Sequence, residues 1–117
     1  MTVAEGPLQA SLTLPGQPSM VGTVRVFVQR VVGDLASPGS LDDLRLAVGE
    51  ACAWTRGARL HVALEITEQR CQVTCRGVLP PRDDGDDAMR ARLLEALAPD
   101  ARWLDGDEVR FSVPLSA

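Results

Sequence analysis

The sequence contains no lysine, and all twelve of its basic residues are arginine. Set against 16 acidic residues they leave a net charge of -4, which denies the chain the basic footprint of a nucleic-acid binder. The missing lysine reads first as a GC-rich coding bias, although arginine is also the better interface residue. No apolar run approaches the roughly 20 residues of a membrane span. The opening MTVAEGPLQ has neither the basic stretch nor the apolar core of a leader, so a cytoplasmic protein with no membrane partner is expected. Cysteine is scarce and odd in number, at three, which argues against a disulfide framework. Cys71 and Cys75 are four apart in a stretch that alternates like a strand, hence about 13 Å apart when extended. That distance excludes a bond between them, and all three thiols read as small buried hydrophobes. The single histidine, His61, falls on the outward face of a strand with no serine or cysteine partner in view. No glycine-rich dinucleotide loop, P-loop or nucleophile elbow is present. The acidic run Asp83-Asp84-Gly85-Asp86-Asp87 fails the calcium-loop template, which would place Pro80 at the first ligand position. It reads as a solvated loop leading into a helix, and no metal site is expected.

What is present is one domain's worth of chain, residues 1–117, with 45% apolar content and room for a real core. Its centre is the stretch from Ser40 to Gly57. Ser40 with Asp43 three residues on suits a helix start, and Gly57 suits the stop. At 100° per residue Leu41, Leu44, Val48, Ala51, Cys52 and Thr55 form a core stripe. A second stripe of Leu46, Glu50 and Trp54 runs down the other side at four-residue spacing. It reads either as the lining of a ligand pocket or partner surface, or as an indole capping the edge of the core beside a solvated carboxylate.

Around this helix the patterns alternate. Leu8 to Leu14 places Leu8, Ala10, Leu12 and Leu14 on one face, and Pro15-Gly16 stops the strand. Pro18 to Leu35 keeps helical spacing through Met20, Val24, Phe27, Val28, Val31 and Leu35, followed by a loop at Ala36 to Gly39. Arg59 to Thr67 and Arg70 to Arg76 form a hairpin around Glu68-Gln69. Its inward residues are Leu60, Val62, Leu64 and Ile66, then Cys71, Val73 and Cys75. A loop from Val78 to Gly85 leads to a helix from Asp86 to Ala98, with Met89, Leu93, Ala96 and Leu97 on its apolar face. A short strand near Ala101 to Leu104 turns at Asp105-Gly106 into a last strand, Val109 to Leu115, whose Pro114 belongs at an edge or a strand end. The order β-α-α-β-β-α-β-β, with one apolar face per strand, predicts an α+β fold. It is a two-layer α/β sandwich in which three helices cover one face of a mixed, mostly antiparallel sheet.

The element order, with LDDLRLAVGEACAW followed by ARLHVALEITEQRCQVTCRG, resembles the ATPase domain of sensor histidine kinases. The likeness is closest to the small anti-sigma-factor serine kinases of bacterial partner-switching systems and runs from Leu8 to Leu115. The resemblance implies a histidine-kinase-like ATPase fold. It maps the family's general base onto Glu50 and the family's magnesium-binding asparagine onto Trp54. Gly77 stands where the family's adenine-binding aspartate belongs, and too few residues follow it for a lid over ATP. The phosphate-cradling glycines are replaced by an acidic helix start. What the resemblance implies is therefore a retired nucleotide pocket around Glu50, Trp54 and Gly77, with no catalytic residue and no cofactor.

The reading that follows is a non-catalytic regulatory domain, a pseudokinase acting on transcription. It would hold a sigma factor or an anti-sigma-factor antagonist, and a homodimer is implied by the resemblance. Leu46, Trp54, Arg25 and Arg30 are the expected partner contacts, since Trp and Arg are enriched at interface hot spots. Two alternatives stand beside it. One is a divergent serine/threonine kinase acting on an anti-sigma-factor antagonist, with Glu50 as base. The other is a small-molecule sensor that uses the reshaped pocket.

Overall fold

The structure is a computed structural model and describes residues 8–55, 57–82 and 85–116. The chain begins with strand β1 (Leu8–Pro15), whose side chains alternate between half-buried and exposed. A 3₁₀ turn at Pro18–Met20 feeds helix α1 (Val21–Val32). Its buried ridge is Val24, Val28 and Val32, with Phe27 and Val31 packed beside it. The expected extension to Leu35 does not form. Gly33 ends the helix, leaving Leu35 52% exposed and Val32 as the last core residue.

Helix α2 (Pro38–Cys52) starts three residues earlier than its sequence suggests, with its cap at Ser37 instead of Ser40. The cap is Ser37, whose hydroxyl accepts from the Ser40 amide at 3.2 Å, and Pro38 occupies the first turn, where a missing N–H costs nothing. Ser40 is itself buried inside the helix. At the other end α2 stops at Cys52 rather than running to Gly57. The Trp54 and Thr55 amides bond three residues back, to Ala51 and Cys52, which tightens the chain into a turn. Leu44, Val48, Ala51 and Cys52 are fully buried, as the core stripe requires.

Strands β2 (Arg59–Thr67) and β3 (Arg70–Arg76) form the expected hairpin. Glu68 and Gln69 both take positive φ, 46° and 70°, the two-residue turn whose twist matches the strands. Helix α3 (Gly85–Leu97) follows. Its apolar face is only partly the expected one: Leu97 leans on the core as expected, but Leu94 and Ala98 are buried and Ala91 packs beside them, while Met89 is 73% and Leu93 36% exposed. Strand β4 (Arg102–Leu104) and strand β5 (Glu108–Pro114) complete the sheet. Pro114 takes the end of its strand, opposite Arg70.

The strand order is β1-β2-β3-β5-β4, and every neighbouring pair described is antiparallel. α1 packs on α2 and α2 on α3. The apolar sides of β2, β3 and β5 meet the helices in one core that includes all three cysteines. The architecture is therefore an α+β two-layer sandwich with three helices over a sheet that is antiparallel at every described pair; the two-layer arrangement is the one the alternation predicts. Leu115, just past β5, donates its amide to the Gln69 carbonyl at 2.7 Å and accepts from the Ser37 amide at 2.8 Å. No described helix is long and apolar enough to cross a membrane.

Candidate functional site

Two regions gather side chains with chemical potential, one at the end of α2 and one on the opposite, helix-free face of the sheet. At the first, Glu50 lies in the last turn of α2 with its side chain only 13% exposed, and its carboxylate accepts from Arg90 of α3 at 3.1 Å. Trp54 is 3% exposed. Because α2 stops at Cys52, the chain has already turned when it reaches residue 54, and the indole enters the core instead of continuing the stripe of Leu46 and Glu50. There it meets Trp103 of β4 edge to face. Its ring N–H has no hydrogen-bond partner among the described residues.

Gly77 joins Trp54 at the same junction. The Thr55 hydroxyl donates to the Gly77 carbonyl at 3.1 Å, and the Leu79 amide donates to the Trp54 carbonyl at 3.1 Å. The amides of Gly77 and Val78 both donate to the Asp107 carbonyl, at 2.9 and 3.1 Å. Gly77 has φ +88°, and a Cβ placed there would lie 2.1 Å from the Arg59 carbonyl oxygen, so no other residue fits without moving the backbone.

The expected partner residues separate. Leu46 is 37% exposed and Arg30, in the last turn of α1, is exposed. Arg25 instead lies across α2: a Cβ on Gly49 would fall 2.6 Å from its Nε, so the guanidinium rests where that glycine lacks a side chain. Trp54, sealed in the core, presents no surface of its own in this state, a correction to its place among the contact residues. The apolar surface that α2, α3 and the loop before α3 do expose is Leu46, Leu79, Met89 and Leu93. Leu46 is one turn from Glu50, and Met89 and Leu93 flank Arg90 along α3.

His61 pairs across the strands with Thr13, its Nδ1 at 2.7 Å from the hydroxyl. Among the described residues no group of three or more His, Cys, Asp or Glu is placed to hold a metal; Asp83 and Asp84 lie outside them. Burial pushes the Cys71 thiol up to about 12. Cys75 is also raised well above the ordinary range, by its contact with Cys52, whose sulfur is 3.9 Å away, and by burial.

The second region is missing from the sequence reading. The helix-free face carries a trench of about 830 Å³ lined in part by Ser11, Ala63, Thr74, Arg110 and Arg102. These five form one cross-strand row, Ser11 opposite Ala63, Ala63 opposite Thr74, Thr74 opposite Arg110 and Arg110 opposite Arg102. Small side chains in the first three positions leave the floor low. A second row of Gln9, Glu65, Gln72 and Ser112 makes one wall. Alternation alone identifies these residues as outward-facing. What it does not supply is the strand order that slots β5 between β3 and β4 and so sets Arg110 against Arg102.

The acids around the trench are already engaged. Gln9 donates to Glu65 at 2.9 Å. Asp100 accepts from the Ser112 hydroxyl at 2.6 Å and amide at 3.0 Å, while Arg70 donates to the same hydroxyl at 2.8 Å. Burial would raise the Asp100 carboxyl, but these donors outweigh it and hold it below the usual range. Glu108 is buried between Arg76 and Arg110, each Nε at 2.7 Å. There too the desolvation is outweighed, first by the Arg76 and then by the Arg110 hydrogen bond, and the carboxyl sits low.

No protein-family model matches the chain, and a search among curated proteins finds no match.

Proposed function

We propose that the chain is a regulatory protein-binding domain, built like the ATPase domain of histidine kinases and nearest to the anti-sigma-factor kinases, that works by contact and without ATP. The observation that carries this reading is the state of Glu50 and Trp54. In the resembled family one is a general base and the other an asparagine that holds magnesium. In this chain the carboxylate is bound to Arg90 and the indole is packed against Trp103. An indole of about 150–250 Å² gains roughly 4–6 kcal/mol on burial at about 25 cal/mol per Å². Its orphaned N–H returns only about 1–3 kcal/mol. Burial wins by roughly 1–5 kcal/mol, and expelling the ring to readmit a nucleotide would subtract that much from the nucleotide's binding energy.

A contact role is supported by Leu46, Leu79, Met89 and Leu93, the exposed apolar side chains of α2, α3 and the loop before α3. Met is an adaptable contact residue, and a sigma factor or an anti-sigma-factor antagonist is the kind of partner the resemblance implies. Calorimetric titration of Mg-ATP into the purified chain tests the catalytic side, with no heat expected. Binding tighter than about 1 mM, roughly -4 kcal/mol, would overturn the reading in favour of a divergent kinase. Affinity capture with the wild type and with Met89→Asp tests the contact side: a partner retained equally by both would remove this surface from the proposal.

A further inference from the structure

We propose that the trench on the helix-free face binds an extended acidic segment of a partner protein, with one of its carboxylates seated between Arg102 and Arg110. The inference deepens the reading of the chain as a protein-binding domain and gives that reading a second surface, on the face away from the helices.

The argument starts from a like-charge pair. Arg102 and Arg110 are directly opposite in the β4–β5 ladder and share the helix-free face. Like charges so placed destabilise a sheet. Arg110 spends its Nε on Glu108 and stays 48% exposed, while Arg102 makes no hydrogen bond or ion pair with any described residue. Two arginines therefore stand directly opposite in the ladder, with unspent guanidinium donors, at the end of a trench. The carboxylates in its lining, Glu65 and Asp100, already take donors from Gln9 and Ser112. What this pair of arginines lacks is a carboxylate shared between them, since Glu108 engages Arg110 alone of the two. A carboxylate held by both guanidinium groups would turn their repulsion into charge-assisted hydrogen bonds.

The shape favours a peptide over a small acid. The row from Ser11 to Arg102 crosses five strands, roughly 19 Å at about 4.8 Å per strand, which matches about six extended residues. The wall offers amides of Gln9 and Gln72, groups that can both donate to and accept from a peptide backbone. The floor of Ser11, Ala63 and Thr74 is low enough for a main chain to approach.

The test is anisotropy of a fluorescein-labelled, end-capped hexaglutamate peptide titrated with the whole chain at low salt, with hexalysine as control. Binding of hexaglutamate alone is expected, weakened about tenfold or more by Arg102→Gln and by Arg110→Gln, and unchanged by Arg92→Gln on exposed α3. Amide shifts in an NMR titration should concentrate on Gln9, Ser11, Gln72 and Thr74. Arg102→Gln should also raise the melting temperature slightly, since it relieves the repulsion, whereas a merely structural arginine would lower it. No binding, an equal loss in Arg92→Gln, or shifts confined to the helices would overturn the proposal. So would glutarate or inorganic phosphate binding as tightly as the peptide, which would make this a small-anion site. Mg-ATP binding would strike at the contact reading and leave these outcomes untouched, so the two failures are distinguishable.

Discussion

The indole of Trp54 meets that of Trp103 edge to face, with ring centres 5.8 Å apart and planes at 66°. The pair joins the turn after α2 to the edge strand β4. Trp54→Ala is expected to cost about 3–5 kcal/mol, the range for deleting a large buried aromatic. Trp54→Phe should cost clearly less, because it keeps most of the buried area and removes the unpartnered N–H. Urea unfolding midpoints of the two variants check the order, and equal losses would mean that the indole N–H is satisfied in solution.

Two glycines should respond with opposite signs. Gly77→Ala forces a side chain into positive φ and against the Arg59 carbonyl, and is expected to destabilise by several kcal/mol, well beyond the roughly 1 kcal/mol of an ordinary glycine effect. Gly22 lies inside α1 with open space around its Cα. Gly22→Ala should stabilise by about 0.5–1 kcal/mol through helix propensity. Thermal melts of both proteins read the two signs directly.

Glu108 gives the chain an acid limb. Its folded carboxyl is lowered, so the stability it adds is present above the unfolded value, about 4.3, and is lost as the pH falls through the folded value. The difference in unfolding free energy between the wild type and Glu108→Gln is therefore expected to be largest at neutral pH and to shrink below about pH 4.3. Asp100 acts with the same sign through Ser112. A difference that is flat from pH 3 to 7 would show that the two arginines do not hold Glu108.

The thiols should be inert while the chain is folded. Cys52, Cys71 and Cys75 are fully buried, and the last two are raised far from the thiolate range. Thiol reagents are expected to label none of them quickly in native buffer at pH 8 and all three in urea. Rapid labelling of any one in the native state would reveal an opening of the core at that element.

The strands were legible because period-two alternation needs only local information: the inward sets of β2, β3 and β5 are those the residue order predicts. The helix ends were less so. Both Ser37 and Ser40 satisfy the chemistry of a cap, and only Pro38 in the first turn favours the earlier one. On α3 the large residues Met89 and Leu93 outweigh alanines in any apolar count, yet the core there takes Leu94 with Ala91 and Ala98, because small side chains let the helix sit close. Trp54 was misplaced for a different reason. Helical phase carries a residue's direction only while the helix lasts, and α2 ends two residues before it. Of the candidate site, Glu50 could be named from its helical stripe, and Gly77 only through the family resemblance. The pairing of Arg102 with Arg110 could not, since it depends on which strands become neighbours.

The bonds of Leu115 have a dynamic consequence. One backbone unit secures both the capped start of α2 and the β2–β3 turn, two places far apart along the chain. Fraying at either therefore has to pass through the other. In hydrogen exchange the amides of Ser37 and Leu115 should open as one cooperative unit, at a common free energy, instead of each following its own local motion.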